Sequence, residues 1–176
     1  MQIVFSEELD KILAYARDEA MRTGSMAILP DHLALGLLRH CENDACEALD
    51  ISGVSREELK HFIESQLYRK DAISYSEAEL VIFSRASRDV LNISIMEASA
   101  AGRDKADSSH LLMAIARHGD SLASGFLRQA GVDRDRIADA LKTVWERKES
   151  ERQDRFRKAV SDKFFELYKQ NDKIYS

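Results

Sequence analysis

Apolar residues at Leu9, Ile12, Leu13, Ala16 and Ala20 recur at helical spacing behind Ser6, whose hydroxyl suits a helix start. Glu7 and Glu8 follow it at the positive helix end, and Gly24 suits a left-handed close. The stretch from about Asp31 to His40 is apolar on nearly every side and predicts a buried second helix. A short third helix is expected over Asp44–Asp50, ending before Gly53. A fourth opens at Ser55, where Glu58 completes a capping box, and runs to about Tyr68.

Shifting the chain by 78 residues lays this pattern on itself without a gap. Phe5-Ser6 falls on Phe83-Ser84, Glu19-Ala20 on Glu97-Ala98, and Gly24 on Gly102. His32-Leu33 falls on His110-Leu111, Arg39-His40 on Arg117-His118, Gly53-Val54 on Gly131-Val132, and Arg56 on Arg134. Such self-similarity marks an internal duplication. The expected fold is therefore all-α: two tandem four-helix repeats, about 3–68 and 81–142, packed around a pseudo-two-fold as one domain over 1–142. Residues 69–82 join them, with Ser76 and Glu79 offering another capping box.

A tail over 143–176 follows. Its first part, ERKESERQDR at 146–155, carries opposite charges at helical spacing, such as Glu151 and Arg155. Phe156, Val160, Phe164, Leu167 and Tyr168 then form an apolar stripe on a charged, amphipathic helix. That stripe is a candidate partner-binding surface; it can fold back on the repeats, pair with a second copy as a homodimer, or dock on another protein.

Composition adds exclusions. One proline and seven glycines in 176 residues leave few tight turns for an all-β fold. A formal charge of -5 argues against nucleic acid as a partner. No apolar run is long enough to span a membrane, and the start, MQIVFSEELDKIL, has no secretory pattern, which with two unpaired cysteines points to the cytoplasm. Cys41 and Cys46 have poor spacing for zinc, and His32 and His110 have no matched ligands nearby, so no metal or cofactor is expected. Each of these histidines is expected to anchor its helix by a bond to backbone. Gly119-Asp120-Ser121-Leu122 spells an esterase block outside the strand context that block needs, and Ser121 reads as a helix cap. With neither paired catalytic groups nor a phosphate-binding loop, the chain is read as a non-enzyme.

Laid out this way, the sequence resembles the Clp N-terminal (Clp repeat) domain of ClpA- and ClpC-type AAA+ unfoldases. The resemblance rests on FSEELDKILAYARDEAMRTG, DHLALGLLRH and SGVS in the first copy, and on FSRASRDVLNISIMEASAAG, SHLLMAIARH and AGVD in the second. It implies a non-catalytic protein-binding module, an accessory or adaptor of ATP-dependent proteolysis, seen here without ATPase modules. Its implied partners are Clp ATPase or peptidase components, adaptors or substrates, with the tail replacing the tether to the ATPase.

In ClpC-type members of the family, the acid before each signature His and the hydroxyl of the Phe-Ser/Thr step bind phosphorylated arginine. By position, the resemblance assigns that role to Ser6 with Asp31 and to Ser84 with Ser109, where Asp31 and Ser109 replace the usual Glu. A carboxylate can fork a guanidinium, whereas a serine hydroxyl supplies no charge. Two further readings stay open: a phosphoarginine or other phosphosignal reader outside proteolysis, and a helical oligomerisation protein.

Overall fold

The computed structural model describes residues 4–67 and 70–175. It divides into two compact units, Met1–Leu141 and Lys142–Ser176.

In the first unit, each repeat lays down the same order of elements. The first has a two-residue strand β1 (Val4–Phe5), α1 (Glu7–Arg22), β2 (Ala27–Ile28), α2 (Pro30–Arg39), α3 (Asp44–Ile51) and α4 (Arg56–Gln66). A 3-10 turn over Tyr75–Leu80 leads to β3 (Ile82–Phe83), α5 (Arg85–Ala100), β4 (Lys105–Ala106), α6 (Ser108–His118), α7 (Leu122–Gln129) and α8 (Arg134–Tyr175). The fold is all-α, two four-helix repeats about a pseudo-two-fold. The limits expected for repeat one at residue 3 and Tyr68 lie outside the described residues.

The caps follow the chemistry of their side chains. Ser6 accepts from the Leu9 N–H at 3.1 Å, Ser84 from Ser87 at 3.1 Å, and Ser55 from Glu58 at 3.2 Å. Ser121 accepts from Ser124 at 3.1 Å, so the esterase-like block is a helix start. In the linker, Ser74 rather than Ser76 caps the turn: its hydroxyl accepts from Ser76 N–H, and the 3-10 turn begins two residues earlier than the expected helix. Gly24 and Gly102 end α1 and α5 with φ of +72° and +67°, which a Cβ would strain.

The four short strands were not foreseen, since two residues carry no readable periodicity. They cross between the repeats. β1 pairs in parallel with β4, Phe5 opposite Ala106, and β2 pairs with β3, Ile28 opposite Phe83. Because β3 is the counterpart of β1 and β4 of β2, the two pairings are symmetry mates.

Between the helices lies one apolar core. Leu9, Ile12, Leu33, Leu37, Leu49 and Ile63 are fully buried in the first repeat, and Leu111, Ile115, Leu127 and Ile137 in the second. Each such side chain contributes on the order of 2 kcal/mol by leaving water. Gly36 lets α1 and α2 approach closely: a Cβ there would lie 2.6 Å from the Ile12 carbonyl oxygen and 2.8 Å from the Ala16 nitrogen. The acid shared by both repeats, Glu19 in one and Glu97 in the other, is a charge hub. Glu19 pairs with Arg22 at 2.6 Å and faces Arg39, while Glu97 receives Arg117 at 3.3 Å and Arg134 at 3.1 Å. Arg134 and Arg117 hold the Glu97 carboxyl below the usual carboxylate range despite its burial.

Candidate protein-binding site

The strand crossing decides what the candidate residues meet. Ser84 N–H donates to Ile28 O at 3.0 Å, three residues before Asp31, and Ser6 N–H donates to Ala106 O at 2.9 Å, three residues before Ser109. Backbone bonding thus ties Ser84 to the start of α2 and Ser6 to the start of α6. Each Phe-Ser step therefore lies beside the signature helix of the other repeat.

Asp31 is buried, and its carboxylate reaches into the other repeat. One oxygen accepts from Ala123 N–H at 3.0 Å and the other from Leu122 N–H at 3.2 Å, so it closes the N-terminus of α7. Burial pushes its pKa up, opposed by these two bonds. Its counterpart Ser109 is fully buried. Ser6 and Ser84 cap their own helices, as the bonds above show.

Other cross-repeat contacts show the same division of labour. The backbone N–H of Ser108 donates to Glu8 Oε1 at 3.0 Å. In the mirrored place Pro30 has no N–H to satisfy, and the residue matching Glu8 is Ala86. Similarly, His32 Nδ1 accepts from Leu29 N–H at 2.9 Å, which puts the ring proton on Nε2, 3.1 Å from Thr23 Oγ1. His110 Nδ1 accepts from Asp107 N–H at 3.0 Å, but position 101, opposite Thr23, is alanine, and His110 Nε2 is buried without a partner among the described residues. Both histidines anchor their helices by backbone bonds, the role their position suggested. Burial lowers the pKa of His32 to about 4.

His32 and Thr23 also stand at a surface cleft of about 430 Å³, lined further by Ser25, Met26, Ala27, Leu29, Leu67 and Lys70. Met26 on its lining is 46% exposed, and Ile82, 62% exposed, is joined to Met26 by a 3.2 Å bond from Ile82 N–H to Met26 O. Tyr75 and Leu80 of the linker are exposed as well. Sequence reading missed this surface, because it is assembled from β2 and from β3 of the other repeat; an apolar Met26 and Ile82 beside turn residues were its only trace. Among the described residues no group of three or more His, Cys, Asp or Glu is placed to hold a metal ion, and no helix is long and apolar enough to cross a membrane.

In the second unit, Phe156, Phe164 and Ile174 are exposed on α8 by 71%, 71% and 74%, and Val160, Leu167 and Tyr168 are exposed too. Phe165 lies under the Lys169 ammonium, 4.9 Å from its ring centre.

The Clp repeat (R) N-terminal domain matches this chain twice, over residues 4–88 and 82–174. The chain belongs to that family. The second match runs along α8 well past residue 142. This Clp-repeat chain is 30% identical over 128 residues to the Bacillus subtilis (strain 168) "Negative regulator of genetic competence ClpC/MecB", covering 73% of this chain and 15% of that protein. To "Chaperone protein ClpC1, chloroplastic" of Arabidopsis thaliana it is 28% identical over 133 residues, with 76% and 14% covered. It thus spans about 15% of the length of the curated relatives it matches.

Among solved structures, the N-domain of ClpV from Vibrio cholerae superposes with a TM-score of 0.66 at 16% identity, over 78% of this chain and 85% of that one. The N-terminal domain of ClpD from Arabidopsis thaliana gives 0.61 at 17% identity, over 81% and 94%. These likenesses carry the fold.

Proposed function

We propose that this chain recognises protein partners for the Clp machinery without catalysis of its own, and that it does so through the apolar rim at β2 and β3. The supporting observation is the exposed pair Met26 and Ile82 beside the cleft that His32 floors. Exposed apolar side chains at a cleft edge give binding surface, and Glu77 and Glu79 in the adjacent linker favour a partner segment that mixes apolar and basic residues. The partners are Clp ATPase or peptidase subunits, their adaptors, or substrates, and the setting is the cytoplasm.

Affinity capture with the purified chain, read by antibodies to Clp ATPase and peptidase subunits, tests this reading. Capture is expected for the wild type and lost for Met26→Asp/Ile82→Asp, whose circular dichroism should remain native. No Clp subunit captured by the wild type, or equal capture by the double variant, refutes it.

Phosphoarginine recognition at Ser84 with Asp31, or at Ser6 with Ser109, is the alternative ligand chemistry. It requires Asp31 to face a guanidinium as well as α7. Calorimetry with free phosphoarginine separates the two readings: heat that disappears on Asp31→Ala favours the phosphate reader.

A further inference from the structure

The exposed stripe on α8 runs Phe156, Val160, Phe164, Leu167, Asn171, Ile174, with steps of four, four, three, four and three. This averages about 3.6 residues per turn, so the stripe stays on one side of a straight helix over about five turns. Read in reverse, the same series meets itself: Phe156 falls opposite Ile174, Val160 opposite Asn171, and Phe164 opposite Leu167. An apolar helix face of this length needs a cover, and its flanking charges say which.

In an antiparallel pair, residues on the same flank of the two helices come together. One flank carries Lys163 and Glu166, the other Arg157 and Asp172. In the register set by the stripe, Lys163 lies beside Glu166 of a second copy and Arg157 beside Asp172, and symmetry doubles each pair. A parallel pair joins opposite flanks instead and forms neither of these pairs. Phe165 lies off the stripe and is exposed, with the Lys169 ammonium of its own helix over the ring.

We propose that residues 156–174 are a self-association surface, on which α8 of a second copy of this chain packs antiparallel. The module is then bivalent, with two sets of Clp repeats per assembly, whichever partner they take. Two weak recognition events on one target gain from the high local concentration of the second site.

Light scattering on the full chain across the micromolar range tests this. The expected mass is twice the 20.0 kDa of one chain, falling to a single chain for Phe164→Asp. A single-chain mass for the wild type, or an undiminished dimer for Phe164→Asp, overturns the proposal. Orientation is read by oxidation, with the exposed Cys41 first changed to Ser. Mixing Arg157→Cys chains with Asp172→Cys chains should give the mixed disulfide and little of either homodisulfide. Homodisulfides in place of the mixed species overturn the antiparallel arrangement. Neither readout depends on Clp subunits, so failure here is distinct from failure of the capture experiment.

Discussion

Replacing Asp31 with alanine removes two hydrogen bonds that join the repeats, from Leu122 N–H at 3.2 Å and Ala123 N–H at 3.0 Å. The Ala123 amide is left in a buried place, since that residue is 1% exposed. Bonds to a charged acceptor return on the order of 1.5–3 kcal/mol each, and loss of a helix cap costs about 1 kcal/mol as usually measured. Against this stands the cost of burying the carboxylate, which is why its pKa is raised rather than lowered. The balance predicts a loss of about 2 kcal/mol for Asp31→Ala, and about half that for Asp31→Asn, which keeps one acceptor and removes the buried charge. Urea unfolding at neutral pH, followed by helical circular dichroism, measures the loss. Hydrogen exchange locates it: the Leu122 and Ala123 amides should exchange faster, and amides within α1 should not. If both amides keep their protection and the loss stays below about 0.5 kcal/mol, Asp31 is not the inter-repeat cap described above.

Two further outcomes follow from the histidine anchors. The folded protein keeps His32 neutral, with a pKa of about 4 against an ordinary 6.5, so the unfolded chain binds the proton first. Stability from this group is complete above about pH 6.5 and is lost as pH falls toward 4, by about 3 kcal/mol in all; comparing urea midpoints of wild type and His32→Gln across that window isolates it, and parallel curves refute it. Ala101→Thr should supply the hydroxyl that His110 Nε2 lacks and raise stability by about 1 kcal/mol in the same assay, with no gain if the ring faces elsewhere.

Much of this architecture was legible in the residues. Helix starts at Ser6, Ser55, Ser84 and Ser121, the glycine ends, and the anchoring role of His32 and His110 all follow from local chemistry that acts within three or four residues. What escaped was long-range. The strands are too short for any pattern, and their crossing exchanges Ser6 and Ser84 between the starts of α6 and α2. Asp31 lies in the first turn of its own helix, behind the cap residue Leu29, yet its partners lie 91 and 92 residues away, on α7. The mismatched positions of the self-comparison held the clue: Glu8 with Ala86, Pro30 with Ser108, Thr23 with Ala101, and Asp31 with Ser109 each mark a place where the halves do different work.

The reciprocal ladders carry a consequence for history and for truncation. Cut between the halves, each fragment keeps two strands whose mates are on the other piece, so neither can close its own edges. A lone unit could complete them only by embracing its twin, as members of a symmetric pair do. The present chain reads as such a pair spliced head to tail, after which identity was no longer required of the two members. Proline could then take one seat and glutamate another, and co-expressed fragments should reassemble where single ones do not.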